Sequence, residues 1–78
     1  MYYVYILECR GGTFYVGSTN DIDKRVTVHN AGKGAKYTRG RLPVKLLYTE
    51  VFETKGDALK RELALKRLSR KDKLLLTK

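Results

Sequence analysis

The sequence predicts a small α+β domain: a three-stranded antiparallel sheet flanked by helices in the order β-β-α-β-α, with a short helix at the C-terminal end. Three observations carry that prediction. Two runs rich in aromatic and β-branched residues flank a Gly-Gly turn near the start. Two helical stretches follow, each behind a capping residue, and a third strand-like run separates them. At 78 residues the chain is expected to form one domain, residues 1–78, near the size at which a single hydrophobic core is only just sufficient.

The first strand is "YYVYILEC" (2–9) and the second is "TFYVGST" (13–19), on either side of Arg10, Gly11 and Gly12. Their register depends on the turn. A two-residue loop centred on the glycines would pair Tyr15 with Glu8 and put Tyr5 and Tyr15 on opposite faces, because strand side chains alternate. A three-residue loop with a left-handed glycine shifts the register by one and puts both tyrosines on one face.

Asn20 or Asp21 can cap a first helix that runs to about Asn30 and stops at Gly32 and Gly34. Within it Ile22, Arg25, Val26 and His29 fall on one stripe, so Arg25 and His29 point partly inward. A basic, glycine-rich loop leads through Pro43 to "VKLLYTEVF" (44–52), the third strand. Thr54 or Asp57 starts a second helix through about Leu68, and "SRKD" (69–72) resembles a capping box that starts the terminal helix. On the second helix Glu62 sits near the middle of a sector that also holds Ala58, Leu59, Leu63 and Leu65. A carboxylate there needs a cation. The cation can be Lys66, one turn on, or a divalent metal that also contacts a phosphate.

Charge narrows the function. Lys and Arg number 17 against 8 Asp and Glu, a net charge of +9. Residues 1–30 balance, whereas residues 31–45 carry five basic side chains and no acid. The segment from Lys55 onward adds nine basic against three acidic. Such clustering favours a polyanion, and nucleic acid is the natural one. Lys33, Lys36, Arg39 and Arg41 form a candidate nucleic-acid surface around Tyr37, which can stack on an unpaired base or cover the core. No apolar run approaches the roughly 20 residues that cross a bilayer, so no membrane partner is expected. The aromatic start lacks a basic leading region and reads as a strand rather than a signal peptide, which points to a cytoplasmic protein. The lone Cys9 lies in an apolar strand and is expected to be a small core residue.

Taken together, these residues resemble the GIY-YIG nuclease family. The first signature tyrosine matches Tyr5 in "VYI" and the second matches Tyr15 in "YVG", ten residues on. The family's helix arginine matches Arg25, its histidine one turn later matches His29, and its metal-binding glutamate matches Glu62. The resemblance covers nearly the whole chain and is nearest to small standalone bacterial members. Two departures are Val4, where many members have glycine, and the lack of an attached DNA-binding domain in this chain. The resemblance implies a metal-dependent endonuclease that uses one Mg²⁺ or Mn²⁺. Its expected substrate is DNA, branched or single-stranded, as in repair or recombination. It also requires Tyr5 and Tyr15 to share a face, hence an odd-length loop or a bulge at Gly11 and Gly12.

Phosphodiester hydrolysis needs a deprotonated water, charge stabilisation on the phosphoryl oxygens and help for the leaving alkoxide. Tyr5 is the candidate general base; its phenol, with a pKa of about 10, must be lowered or relayed, and His29 can accept its proton. Arg25 can clamp phosphoryl oxygens through its planar fork, Tyr15 can position water or phosphate, and Glu62 can hold the metal. A second function class stays open beside the nuclease: a nucleic-acid-binding module, for DNA or RNA, whose nuclease site is weak or silent.

Overall fold

The computed structural model describes residues 1–77. Strands β1 (Tyr2–Glu8) and β2 (Phe14–Thr19) are followed by helices α1 (Ile22–Asn30) and α2 (Lys36–Arg39), strand β3 (Lys45–Phe52), and helices α3 (Lys55–Lys66) and α4 (Arg70–Leu76). The three strands form one antiparallel sheet in the order β2-β1-β3. The α+β architecture therefore stands as expected. The central β1 buries Val4, Tyr5, Ile6 and Leu7 in succession, because helices cover both faces of the sheet and neither side of this strand meets water.

The hairpin turn settles the register. Cys9 N–H donates to Thr13 C=O at 2.8 Å and Gly12 N–H donates to Cys9 C=O at 3.0 Å, which leaves Arg10, Gly11 and Gly12 as a three-residue loop. Gly11 and Gly12 adopt φ of 92° and 85°, a region that costs a residue with a Cβ roughly 1 kcal/mol or more. Tyr5 then lies opposite Gly17, and Leu7 opposite Tyr15. Cross-strand partners share a face, so both tyrosines project from the same side.

Each of the longer helices begins at a side-chain cap. Asp21 accepts from Lys24 N–H, Thr54 from Asp57 N–H and Ser69 from Asp72 N–H. Each cap contributes about 1 kcal/mol by satisfying a donor that the helix leaves free.

Two apolar clusters lie on the two faces of the sheet. One joins Val4, Ile6 and Val16 to Ala58 and Leu65 of α3. The other joins Tyr5, Leu7, Cys9 and Val44, with Ile22 and Val26 of α1 packed against them. Fully burying a side chain of this size contributes about 1.5–3 kcal/mol. An Arg61 fork on Glu50, at 2.9 Å and 3.0 Å, with the Tyr48 hydroxyl on the same carboxylate, ties α3 to β3.

Two features differ from the sequence reading. The basic loop contains the single helical turn α2, and the buried stripe of α3 is narrower than its composition suggests. Leu59 and Leu63 are exposed, because they sit roughly 100° or more around the helix from Ala58 and Leu65, and one stripe suffices against a narrow sheet. Glu62 stands at the border of that stripe rather than at its centre. Among the described residues no helix is long and apolar enough to cross a membrane.

Candidate active site

A buried hydrogen-bond chain starts at Tyr5. Its hydroxyl lies 3.1 Å from His29 Nε2. The other ring nitrogen of His29, Nδ1, lies 2.9 Å from Thr38 Oγ1. Thr38 donates its only hydroxyl proton to Ala35 C=O at 2.9 Å, so it can only accept from His29. The chain thereby assigns the tautomer: Nδ1 carries the proton, and the lone pair of Nε2 faces Tyr5, whose O–H donates to it. Tyr5, His29 and Thr38 are 0–1% exposed, and such burial is tolerable because every polar atom has its partner.

Burial and then the charge of Arg25 lower the pKa of His29, which keeps the ring neutral at physiological pH. Burial also pushes the Tyr5 phenol above its ordinary value, against a hydrogen bond from Arg25 that works in the other direction. Both shifts hold the resting pair neutral, a phenol beside an uncharged imidazole.

Two glycines make the close packing possible. A Cβ on Gly17 would come 2.5 Å from the Tyr5 hydroxyl oxygen, so only glycine lets that ring lie across β2. A Cβ on Gly34 would overlap the His29 imidazole. Tyr15 completes the group, with its ring centroid 5.3 Å from that of His29 and 6.4 Å from that of Tyr5. Arg25, half-buried on α1, also borders a shallow cavity of about 200 Å³ with Thr19, Asn20 and Lys24.

Glu62 stands on the other side of the sheet. Val4 pairs with Ser18 and Ile6 with Val16, which places Ser18 on the face that α3 covers, where its hydroxyl helps to lower the Glu62 pKa. Lys66 Nζ sits 2.7 Å from Glu62 Oε2. Burial pushes the Glu62 carboxyl up, but the Lys66 hydrogen bond, the Ser18 hydroxyl and the Lys66 charge outweigh it, and its pKa is lowered. The tyrosine–histidine group and Glu62 thus lie on opposite faces of the sheet, whose edge strand β2 carries Tyr15 on one side and Ser18 on the other. The Glu62 charge is the smallest of the influences on the Tyr5 pKa, which it raises. Glu62 and Ser18 are hard oxygen donors of the kind a Mg²⁺ ion accepts alongside water and phosphate oxygens. No group of three His, Cys, Asp or Glu side chains gathers among the described residues, so further donors would come from water and substrate.

The basic loop flanks this edge. Lys33, Lys36 and Arg39 reach into solvent at least in part. Arg41 folds back, its guanidinium 4.1 Å from the Tyr37 ring centroid and Nη1 donating to Tyr37 C=O at 2.6 Å. Tyr37 stacks against Tyr15 with centroids 6.1 Å apart while remaining 41% exposed. Thr38, Gly34 and Ser18 were not singled out by sequence reasoning as parts of the site. A threonine in a lysine-rich loop carries no spacing signal toward a histidine nine residues earlier, and Gly34 was legible only as a helix stop.

Comparison with known proteins places the chain in a family. The family model described as the GIY-YIG catalytic domain matches residues 1–75. A UPF0213 protein of Halobacterium salinarum is 55% identical over 73 residues, which span 94% of this chain and 95% of the relative. One from Bacillus licheniformis is 58% identical over 72 residues, 92% of this chain and 74% of that protein. The solution NMR structure of a UPF0213 protein from Bacillus halodurans superimposes with a TM-score of 0.61 at 51% identity, covering 97% of this chain and 82% of that one. With the family model spanning nearly all of the chain and relatives more than half identical along it, the chain belongs to the GIY-YIG nuclease family.

Proposed function

We propose that the protein is a metal-dependent endonuclease that hydrolyses phosphodiester bonds in DNA, selecting branched or single-stranded structures rather than a base sequence. The observation that supports it most is the Tyr5–His29–Thr38 chain, in which a buried phenol at 3.1 Å faces a histidine nitrogen held in its acceptor form.

In this reading a water attacks phosphorus as its proton passes to the Tyr5 oxygen and the Tyr5 proton passes to His29 Nε2. The phosphorus–oxygen bond to the leaving group then breaks, and the released alkoxide takes a proton from solvent. Arg25 holds non-bridging oxygens through two parallel N–H donors, and Tyr15 orients the water or the phosphate. A single Mg²⁺ or Mn²⁺ bound at Glu62 would supply charge stabilisation for the phosphoryl and leaving oxygens. Before that, Lys66 must give up its hold on the carboxylate. Lys33, Lys36, Arg39 and Arg41 supply contacts to neighbouring phosphates, and Tyr37 a face for a base.

The Lys66–Glu62 pair at 2.7 Å also supports a second reading, in which the site is silent and the domain only binds nucleic acid. The two separate in one experiment. Purified protein is incubated with branched, flapped, single-stranded and duplex DNA and RNA, with Mg²⁺, with Mn²⁺ and with chelator. Metal-dependent cleavage of a branched or single-stranded DNA is expected; binding that is equal with and without metal, and no cleavage of any substrate, would establish the silent module instead.

A further inference from the structure

Phe14 and Tyr15 open β2, and next to them a cavity of about 240 Å³ is walled by Phe14, Tyr15, Val16, Tyr37, Lys66 and Lys73. Three of its six walls are aromatic and two are cationic, the composition with which proteins hold a base against rings and a phosphate against ammonium groups. Its volume is below the roughly 300–1,000 Å³ typical of sites for whole drug-sized ligands, so it suits one planar ring system and not a base pair. The walls are braced independently. Arg41 backs the Tyr37 ring, while Arg70 lies 5.3 Å from the Phe14 ring centroid and donates to Gly12 C=O at 2.9 Å, which fixes the start of α4 against the hairpin. Tyr15 and Lys66 are shared with the candidate active site: Tyr15 faces His29, and Lys66 reaches Glu62.

We infer that this cavity is a pocket for one unpaired DNA base, belonging to a nucleotide next to the phosphate that is cut. The inference rests on the nuclease reading for where the phosphate lies, and adds what that reading lacks: a reason for structural selectivity. A base within a duplex cannot enter without being unstacked and unpaired, at a cost of a few kcal/mol. A flap or single strand presents one freely. Lys73 reaches the pocket from α4 and receives the phosphate on the far side of that base. Lys66, drawn toward the bound nucleotide, releases Glu62 for its metal, so that occupation of the pocket and completion of the active site are linked.

The test uses single-stranded, flapped and duplex DNA with 2-aminopurine placed at successive positions, bound by the intact protein in chelator so that nothing is cut. Fluorescence is expected to be quenched by ring stacking at one unpaired position and at none in the duplex. Tyr37→Leu should remove the quench and weaken binding of the single strand about tenfold. Tyr37→Phe should retain both, and Lys73→Gln should weaken binding without moving the quenched position. Absence of a position-specific quench, or a quench equal in Tyr37→Leu and wild type, overturns the pocket. The same DNAs are then supplied with Mg²⁺. Cleavage without a quench leaves the nuclease standing and the pocket refuted; a quench without cleavage establishes the pocket and refutes its role beside a cut phosphate.

Discussion

Replacing Thr38 by valine removes one hydroxyl from a fully buried position and leaves the shape of the side chain. In the native chain that oxygen accepts from His29 Nδ1–H and donates to Ala35 C=O, both at 2.9 Å. Ala35 C=O keeps its bond from Thr38 N–H at 3.0 Å, so the lasting loss falls on the imidazole. A buried N–H left without a partner costs about 1–3 kcal/mol, and each kcal/mol lowers Tm by about 4–8 °C in a domain of this size. The ring can escape part of that cost by moving its proton to Nε2, but Nε2 then no longer accepts from Tyr5. Positioned proton transfer contributes roughly 10²–10⁴ in rate, so kcat should fall by about 10²-fold or more while binding in chelator holds. The chain has one histidine, so long-range ¹H–¹⁵N spectra of its imidazole report the tautomer without ambiguity. Wild type and Thr38→Ser should show the proton on Nδ1, and Thr38→Val a shift toward Nε2. A wild-type ring protonated on Nε2, or a Thr38→Val protein with unchanged tautomer and rate, would show that Thr38 does not set the imidazole proton.

Three further outcomes are expected. His29 has a lowered pKa, so the unfolded chain takes up its proton first as pH falls below about 6.5; stability should decline from there until the folded ring also titrates. Activity should fall on the same acid limb, and thermal melts between pH 5 and 8 should lose this dependence in His29→Gln. Glu62→Gln should abolish metal-dependent cleavage while changing stability by less than about 1 kcal/mol, because the pair it breaks is with the half-exposed Lys66. Denaturant melts and calorimetric Mn²⁺ titration check it, with Mn²⁺ binding to the variant unchanged as the opposing result. Replacing Lys36 and Arg39 by alanine should flatten the log–log salt dependence of DNA binding by about 0.7–0.9 for each phosphate that the protein no longer neutralises; an unaltered slope shifts the binding surface to α4 and the rest of the C-terminal basic segment.

Much of this architecture was legible because it is written in local chemistry. Asp21, Thr54 and Ser69 are capping residues at the positions where helices must start, and adjacent glycines between two β-rich runs force a hairpin. The stripe through Arg25 and His29 likewise turned both toward the sheet. The placement of Glu62 was legible only in part. Helical periodicity gave its face, but which face of the sheet α3 would cover depends on chain topology, which no short-range pattern encodes. The candidate residues accordingly lie on both faces of the sheet, a division that the sequence does not reveal. Thr38 was out of reach for a different reason. Its role follows from a loop folding back over α1, with Asn30 clamped to Val44 at 2.7 Å and 3.2 Å, and long-range closure of that kind leaves no periodic trace.

Tyr5→Phe gives the most direct test of the account, since it deletes the one oxygen through which the proton is said to pass and keeps the ring that fills the core. It leaves His29 Nε2 without its donor, a loss on the order of 1 kcal/mol that the fold should survive. The measurement is single-turnover cleavage of a flapped or single-stranded DNA in Mg²⁺, beside a ¹H–¹⁵N spectrum that verifies the fold and a binding titration in chelator. Native-like spectrum and affinity with cleavage reduced by at least about 10²-fold is the predicted result. Cleavage by the folded variant at the wild-type rate would contradict it, and the proton would then have to leave the water by a route that does not include Tyr5 and His29.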